Sequence, residues 1–108
     1  MTLNEYQIKA LTTKTYGTGE NIIYPTLGLN GEAGEVAEKV KKVLRDNDGF
    51  FTEQSKIEIA KELGDCMWYI AALANDIGYT LDGIAEMNVE KLKSRQERDK
   101  IHGNGDNR

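Results

Sequence analysis

The segment from Glu32 to Asp65 reads EAGEVAEKVKKVLRDNDGFFTEQSKIEIAKELGD and carries two acidic pairs, Glu32 with Glu35 and Glu62 with Asp65. The members of each pair are three residues apart, so on a helix their carboxylates lie on the same side of neighbouring turns. Two such helices packed side by side would bring four carboxylates together. Because four unpaired anions repel one another strongly, this pattern indicates a site for cations.

Apolar periodicity and capping signals predict four helices in this chain. Their expected bounds are about Thr2–Tyr16, Pro25–Leu44, Thr52 or Ser55 to Ile77, and Leu81–Arg98. Capping boxes are predicted at Thr2 with Glu5 and at Ser55 with Glu58, and Thr80 is a predicted N-cap. The expected fold is all-α, a four- to five-helix bundle in which residues 1–108 form a single domain.

Polar side chains interrupt the apolar faces of these helices. At 100° per residue the faces predicted to be buried are Leu29, Ala33, Val36, Val40 and Val43 in the second helix, and Ile59, Leu63, Met67, Ile70, Ala74 and Ile77 in the third. Glu32 projects between Val36 and Val43, inside the first of these faces. The inward face of the fourth helix carries Asn88, Lys91 and Arg95.

Composition excludes several classes of protein. The chain has 108 residues, 39% of them hydrophobic and 30% charged, and a net charge of −4, which argues against a general binder of nucleic acids or membrane surfaces. Cys66 is the only cysteine, the N-terminus lacks the blocks of a signal peptide, and no apolar run approaches a membrane span. We therefore expect a cytoplasmic protein. So small a core also favours a homo-oligomer.

The residue types at the acidic pairs indicate which metal they would hold. Carboxylate oxygens are hard ligands, and without paired His or Cys they favour Mg²⁺ or Mn²⁺ over Zn²⁺. Magnesium commonly acts on phosphates, and Lys91 and Arg95 could hold phosphate oxygens opposite it while Asn88 binds a ligand group. The alternative is a pair of solvated acidic faces neutralised by Lys39, Lys61 and their neighbours.

Two motifs carry a resemblance to a known family. Gly31-Glu-Ala-Gly-Glu-Val-Ala-Glu38 followed by Lys61-Glu-Leu-Gly-Asp65 closely resembles the MazG-like branch of the all-α nucleoside triphosphate pyrophosphohydrolases. The resemblance extends from Tyr24-Pro-Thr-Leu-Gly28 to Asn88-Val-Glu-Lys-Leu-Lys-Ser-Arg95 and to the closing Gly-Asp-Asn-Arg108. It implies an all-α bundle and Mg²⁺-dependent cleavage of a nucleoside triphosphate to the monophosphate and pyrophosphate, in a dimer or tetramer.

The resemblance also implies roles for individual residues. Glu32, Glu35, Glu62 and Asp65 would bind metal, and Asn88, Lys91 and Arg95 would contact the triphosphate.

Glu35, at the edge of the apolar face, is the candidate general base. Candidates for the base pocket are Tyr24, Trp68 and Tyr69, and they favour neither purine nor pyrimidine. Trp68 projects away from both stripes of its helix, which indicates packing on a covering helix, on another subunit or on a ligand.

Two other functions fit the same residues. A catalytically silent module could use the acidic helices to hold a divalent ion or a basic partner. An enzyme of the same superfamily could instead act on phosphoribosyl-ATP. The phosphate-binding set on the fourth helix favours an enzyme, because a structural ion does not require cationic groups opposite it.

Overall fold

The computed structural model describes residues 1–108 and is all-helical. Its elements are α1 (Leu3–Leu11), a single 3-10 turn (Thr18–Glu20), α2 (Ile23–Asp46), α3 (Glu53–Asp76) and α4 (Leu81–Glu97). The predicted all-α fold with four helices is therefore confirmed. No helix combines the length and the hydropathy that a membrane span requires.

Threonine side chains start three of the four helices. The hydroxyls of Thr2, Thr52 and Thr80 accept hydrogen bonds from the backbone N–H groups of the residues three positions later, at 3.0, 3.1 and 3.0 Å. Each bond satisfies an N–H group that has no partner within its helix. The predicted capping box at Ser55 is wrong, because the cap at Thr52 begins α3 earlier.

The first helix is shorter than predicted and ends at Leu11 rather than at Tyr16. Two threonine hydroxyls bond to carbonyls of the last turn: Thr12 donates to Lys9 O at 2.6 Å and Thr13 to Ala10 O at 2.8 Å. Such local bonds offer the chain an alternative to further helical turns. The residues after α1 consequently form a loop that runs to the start of α2.

The centre of the fold is a hairpin of α2 and α3, which are 24 residues each. Helix α1 packs on α3 and α4, and covers the C-terminal half of α3. The buried cluster consists of Ala10, Ala71, Ala74 and Leu81, with Tyr6, Trp68 and Ile84 packed against it. Trp68 therefore packs beneath the covering helix α1, one of its predicted positions.

The predicted buried face of α3 is only partly correct. Ala74 is buried, but Leu63, Met67 and Ile70 are 50%, 42% and 41% exposed. These three side chains remain partly exposed because α1 and α4 of the same chain pack mainly on the part of α3 that contains Ala71 and Ala74. A half-exposed apolar stripe of this kind is typical of a surface that contacts another protein.

The buried side chain of Gln7 connects α1 to the segment between α3 and α4. Gln7 of α1 donates to Ala71 O and Tyr79 O, each at 3.2 Å, and accepts from the Leu81 N–H at 3.1 Å. These bonds tie α1 to the turn between α3 and α4.

Asp76, at the end of α3, holds the loop that precedes α2. Its carboxylate accepts from the Tyr16 hydroxyl at 2.9 Å and from the Ile22 N–H at 2.8 Å. Ile22 has a φ of 71°, which is strained for a β-branched residue. The two bonds to Asp76 hold the backbone in this conformation, from which α2 begins.

Candidate metal centre

Three of the four predicted carboxylates come together between α2 and α3. Glu32 of α2 and Glu62 and Asp65 of α3 each place a carboxylate oxygen within 4.8 Å of the other two. We call this group the acidic triad. Glu32 and Glu62 are partly buried, and Asp65 is exposed to solvent.

A close approach of the two helices sets the position of the triad. Gly28 lies against the ring of Tyr69, where the ring occupies the space that a Cβ at residue 28 would need. Gly28 lies one turn before Glu32, and Tyr69 lies one turn after Asp65. The glycine therefore lets the helices pack closely enough at this end for carboxylates of both to meet.

The triad carries negative charge that no basic side chain of the chain offsets. None of the ion pairs in the structure includes any of its three members. Burial raises the pKa of Glu32, and the nearby charges of Asp65, Glu62 and Glu35 raise it further. Clustered carboxylates with hard oxygen donors and no basic partner are the ligand set that suits a divalent cation.

Glu35, the fourth predicted carboxylate, lies beside the triad and does not complete it. Its side chain is exposed, and it is not among the residues whose oxygens lie within 4.8 Å of one another. It is near enough for its charge to contribute to the raised pKa of Glu32. The structure thus brings three predicted ligands together and leaves Glu35 at the rim.

A cleft of about 280 Å³ opens next to the triad. It is lined by Thr13, Glu32, Asp65, Trp68 and Tyr69. Two of the three predicted pocket aromatics therefore lie beside the carboxylates, with their rings 5.1 Å apart and nearly perpendicular. Aromatic side chains next to carboxylates can bind a ligand that has a flat ring, which the aromatic side chains contact, and associated cations, which the carboxylates bind.

Tyr24, the third predicted aromatic, does not line this cleft. Its ring stacks on Tyr16 at 5.0 Å and lies 6.4 Å from the ring of Tyr69. It therefore lies next to Tyr69, outside the cleft, in a row of three tyrosines.

Thr13 is a cleft residue that the sequence analysis missed. Its hydroxyl accepts a hydrogen bond from the Trp68 indole N–H at 2.8 Å and donates to Ala10 O. The predicted first helix, Thr2–Tyr16, includes Thr13, and a position in that helix does not bring it to the acidic residues. The run Thr12-Thr13-Lys14-Thr15, rich in β-branched residues, was the signal that the helix ends earlier.

The predicted phosphate-binding residues of α4 lie apart from the triad. Asn88 and Lys91 line a separate cavity of about 430 Å³, together with Asp106 of the C-terminal segment. Arg95 is 5% exposed and also contacts Asp106. Within one chain, therefore, the three α4 residues gather with each other and not with the carboxylates.

Comparison with known proteins identifies the family. The family model described as MazG nucleotide pyrophosphohydrolase domain matches residues 25–98, which include the triad and all three α4 residues. The chain is 47% identical to the Gene 37 protein of Mycobacterium phage L5 over 114 aligned positions that cover both proteins completely. No solved structure shows a significant match. The chain belongs to the family of MazG nucleotide pyrophosphohydrolase domains.

Proposed function

We propose that the protein is a Mg²⁺-dependent pyrophosphohydrolase that converts a nucleoside triphosphate, NTP or dNTP, to the monophosphate and pyrophosphate. It would act in the cytoplasm and remove unwanted nucleotides from the pool. The observation that carries the proposal is the acidic triad, whose three carboxylates converge from two helices without a basic partner. Membership of the MazG family supports the reaction class.

The residues at the triad fit Mg²⁺, and Mn²⁺ as a substitute. Glu32, Glu62 and Asp65 would hold the ion, since each offers a hard carboxylate oxygen. A divalent cation would also offset the repulsion among the three carboxylates. Bound Mg²⁺ supplies charge neutralisation at the phosphoryl oxygens and activation of the attacking water.

Glu35 would act as the general base. It lies at the rim, where its carboxylate is solvent-exposed and can remain outside the ligand set. From there it could accept the proton of a water that attacks phosphorus. The family motif also implies metal binding by Glu35, and a carboxylate that is only partly engaged with the ion would keep one oxygen free to act as the base.

Trp68 and Tyr69 would flank the nucleoside in the cleft beside the triad, with Tyr24 supporting Tyr69. Trp68 already uses its N–H group to bond Ala10 O and Thr13, so its contribution would be ring surface only. Such surface accommodates purine and pyrimidine rings alike.

The phosphate contacts would come from a second copy of the chain. Asn88, Lys91 and Arg95 lie away from the triad of their own chain. A homodimer or homotetramer could bring them to the triad of a neighbour, and the half-exposed stripe Leu63, Met67 and Ile70 offers an apolar contact surface.

The decisive experiment measures pyrophosphate release from a panel of NTPs and dNTPs, with Mg²⁺ and with a chelator. We expect release that requires metal and that falls by a factor of about 100 or more in Glu62→Gln, because a lost ligand removes the ion. Glu53→Gln, which removes a carboxylate from the far end of the same helix, should leave release unchanged.

Two results would redirect the proposal. Divalent-ion binding without release from any nucleotide would favour the catalytically silent binding module, and release confined to phosphoribosyl-ATP would favour that substrate. For the role of Glu35, Glu35→Gln preserves shape and removes charge. Near-normal turnover in this variant would rule Glu35 out as the general base.

A further inference from the structure

The last nine residues form a closed loop over the end of α4. The guanidinium of Arg108 donates to Lys100 O at 3.1 Å, Ile101 O at 2.8 Å and Gly105 O at 2.7 Å. Arg98, the residue that follows α4, donates in turn to Arg108 O at 2.8 Å. We call residues 100–108 the tail loop. It is held by its own terminal arginine, by the bond from Arg98 and by bonds from α4 to Asp106.

The tail loop brings Asp106 against the two basic residues proposed to bind phosphate. The carboxylate of Asp106 lies 2.6 Å from Lys91 Nζ and 3.3 Å from Arg95 Nη2, and the same Arg95 nitrogen donates to the Asp106 carbonyl. One residue therefore presents two oxygens to a pair of cations, as a phosphate group would.

Arg95 is incompletely satisfied in this arrangement. Its side chain is 6% exposed, its hydrogen bonds go only to Asp106, and its buried Nε has no partner. A buried guanidinium with an unused donor is costly, and it is ready for an anion with more oxygens than a single residue offers.

We infer that the tail loop is an autoinhibitory latch, in which Asp106 occupies the anion site of Lys91 and Arg95 until a polyphosphate displaces it. The inference rests on the proposed function in assigning that anion site to the triphosphate. Binding of the triphosphate then releases Asp106 and, with it, the tail loop from α4.

The ion pair between Lys91 and Asp106 is open to competition. Its side chains are 35% and 75% exposed, and exposed ion pairs stabilise proteins only weakly. Lys91 lowers the pKa of Asp106, so the carboxylate is ionised and competes for the site at neutral pH. A polyphosphate carries several negative charges and can accept hydrogen bonds from both Nε and Nη2 of Arg95, so it outcompetes one carboxylate.

Titration calorimetry with inorganic tripolyphosphate tests the latch separately from catalysis. The titration is run in chelator, so that only the cationic site contributes. Asp106→Asn should lower the Kd for tripolyphosphate by about five- to tenfold, since the site is then no longer occupied internally. The matched control is Asp99→Asn: it removes the same charge next to the tail loop, Asp99 has no ion pair, and Asn tolerates its φ of 57°. Its Kd should equal that of the unchanged protein.

A second measurement follows the tail loop itself. The ¹⁵N order parameters of Gly103 and Gly105 in the full chain should fall when tripolyphosphate is added, because the displaced loop becomes mobile. A rise would mean that the loop closes over the ligand and would overturn the inference. An unchanged Kd in Asp106→Asn would overturn it as well. A higher Kd would also overturn it and would show that Asp106 positions Lys91 and Arg95 for the anion.

These outcomes are independent of the proposed reaction. If no nucleotide is hydrolysed but Asp106→Asn binds tripolyphosphate more tightly, the latch stands and the proposed reaction fails. If nucleotides are hydrolysed but the Kd is the same in Asp106→Asn, Asp99→Asn and the unchanged protein, the reaction stands and the latch fails.

Discussion

Gly28 and Tyr69 are in direct contact across the interface of α2 and α3, and the Tyr69 ring fills the space of a Cβ at residue 28. Gly28→Ala should therefore force the helices apart and lower the free energy of unfolding by about 1–3 kcal/mol. It should also weaken Mg²⁺ binding, because Glu32 then moves away from the other two carboxylates. Gly31→Ala is the control, since nothing lies near residue 31 and alanine favours a helix. Equal stability of the two variants in urea titrations would contradict the predicted clash.

Gln7 should be essential for stability although it lies far from the acidic triad. Gln7→Ala removes two donated bonds and one accepted bond and leaves the Leu81 N–H without its partner. We expect a loss of about 1–3 kcal/mol in the free energy of unfolding, measured in urea. Gln54→Ala, at an exposed position of α3, should change it by less than about 0.5 kcal/mol. A loss in Gln7→Ala no larger than this would contradict the prediction.

The hydrogen bond from Tyr16 to Asp76 should make stability depend on alkaline pH. Burial and the Asp76 carboxylate raise the pKa of Tyr16 from 10.0 to about 12. The folded pKa exceeds the unfolded one, so this stabilisation is complete below about pH 10 and is lost as pH rises through about 12. Tyr16→Phe should cost about 1 kcal/mol at neutral pH, and the difference from the unchanged protein should shrink in alkaline urea titrations. Tyr79→Phe is the control, since its hydroxyl has no protein partner. A difference that stays constant with pH would refute the assignment.

Removing one charge from the triad should stabilise the metal-free protein. The carboxylate of Glu32 is repelled by the negative charges of Asp65, Glu62 and Glu35, which raise its pKa. Glu32→Gln relieves this repulsion, and we expect a gain of up to about 1 kcal/mol in chelator. In the unchanged protein Mg²⁺ should raise the Tm by mass action, and in Glu32→Gln it should have little effect. Thermal unfolding with and without Mg²⁺ measures both, with Glu53→Gln as the control. A Mg²⁺-induced rise in Glu32→Gln equal to that of the unchanged protein would remove Glu32 from the proposed ligand set.

The sequence predicts the helices well because their signals are local. Thr2 and Thr80 cap the helices that they were expected to cap, and Glu32 inside an apolar face correctly pointed to the place where the helices meet. The spacing of the acidic pairs placed Glu62 and Asp65 beside Glu32. Spacing alone grouped Glu35 with these three, but its projection to the edge of the apolar face, about 60° around α2 from Glu32, agrees with its place outside the triad.

Burial was predicted less well because it depends on which helices cover which faces. The periodicity of Leu63, Met67 and Ile70 marks an apolar face, but not whether the same chain covers it. The contacts of Asp106 with Lys91 and Arg95 likewise join residues of a helix to residues of a Gly-rich segment, which no periodic pattern connects. The hydroxyls of Thr12 and Thr13 ended α1 through competition that apolar spacing does not report.

The hydrogen bond between Trp68 and the end of α1 determines what intrinsic fluorescence can report. Trp68 is the only tryptophan, and its indole N–H is bonded to residues 58 and 55 positions earlier in the chain. The α2–α3 hairpin closes over a short connection, whereas the contact of α1 with Trp68 closes a loop of about half the chain. In a refolding experiment the emission of Trp68 will therefore follow the late docking of α1, while circular dichroism follows the earlier formation of the hairpin.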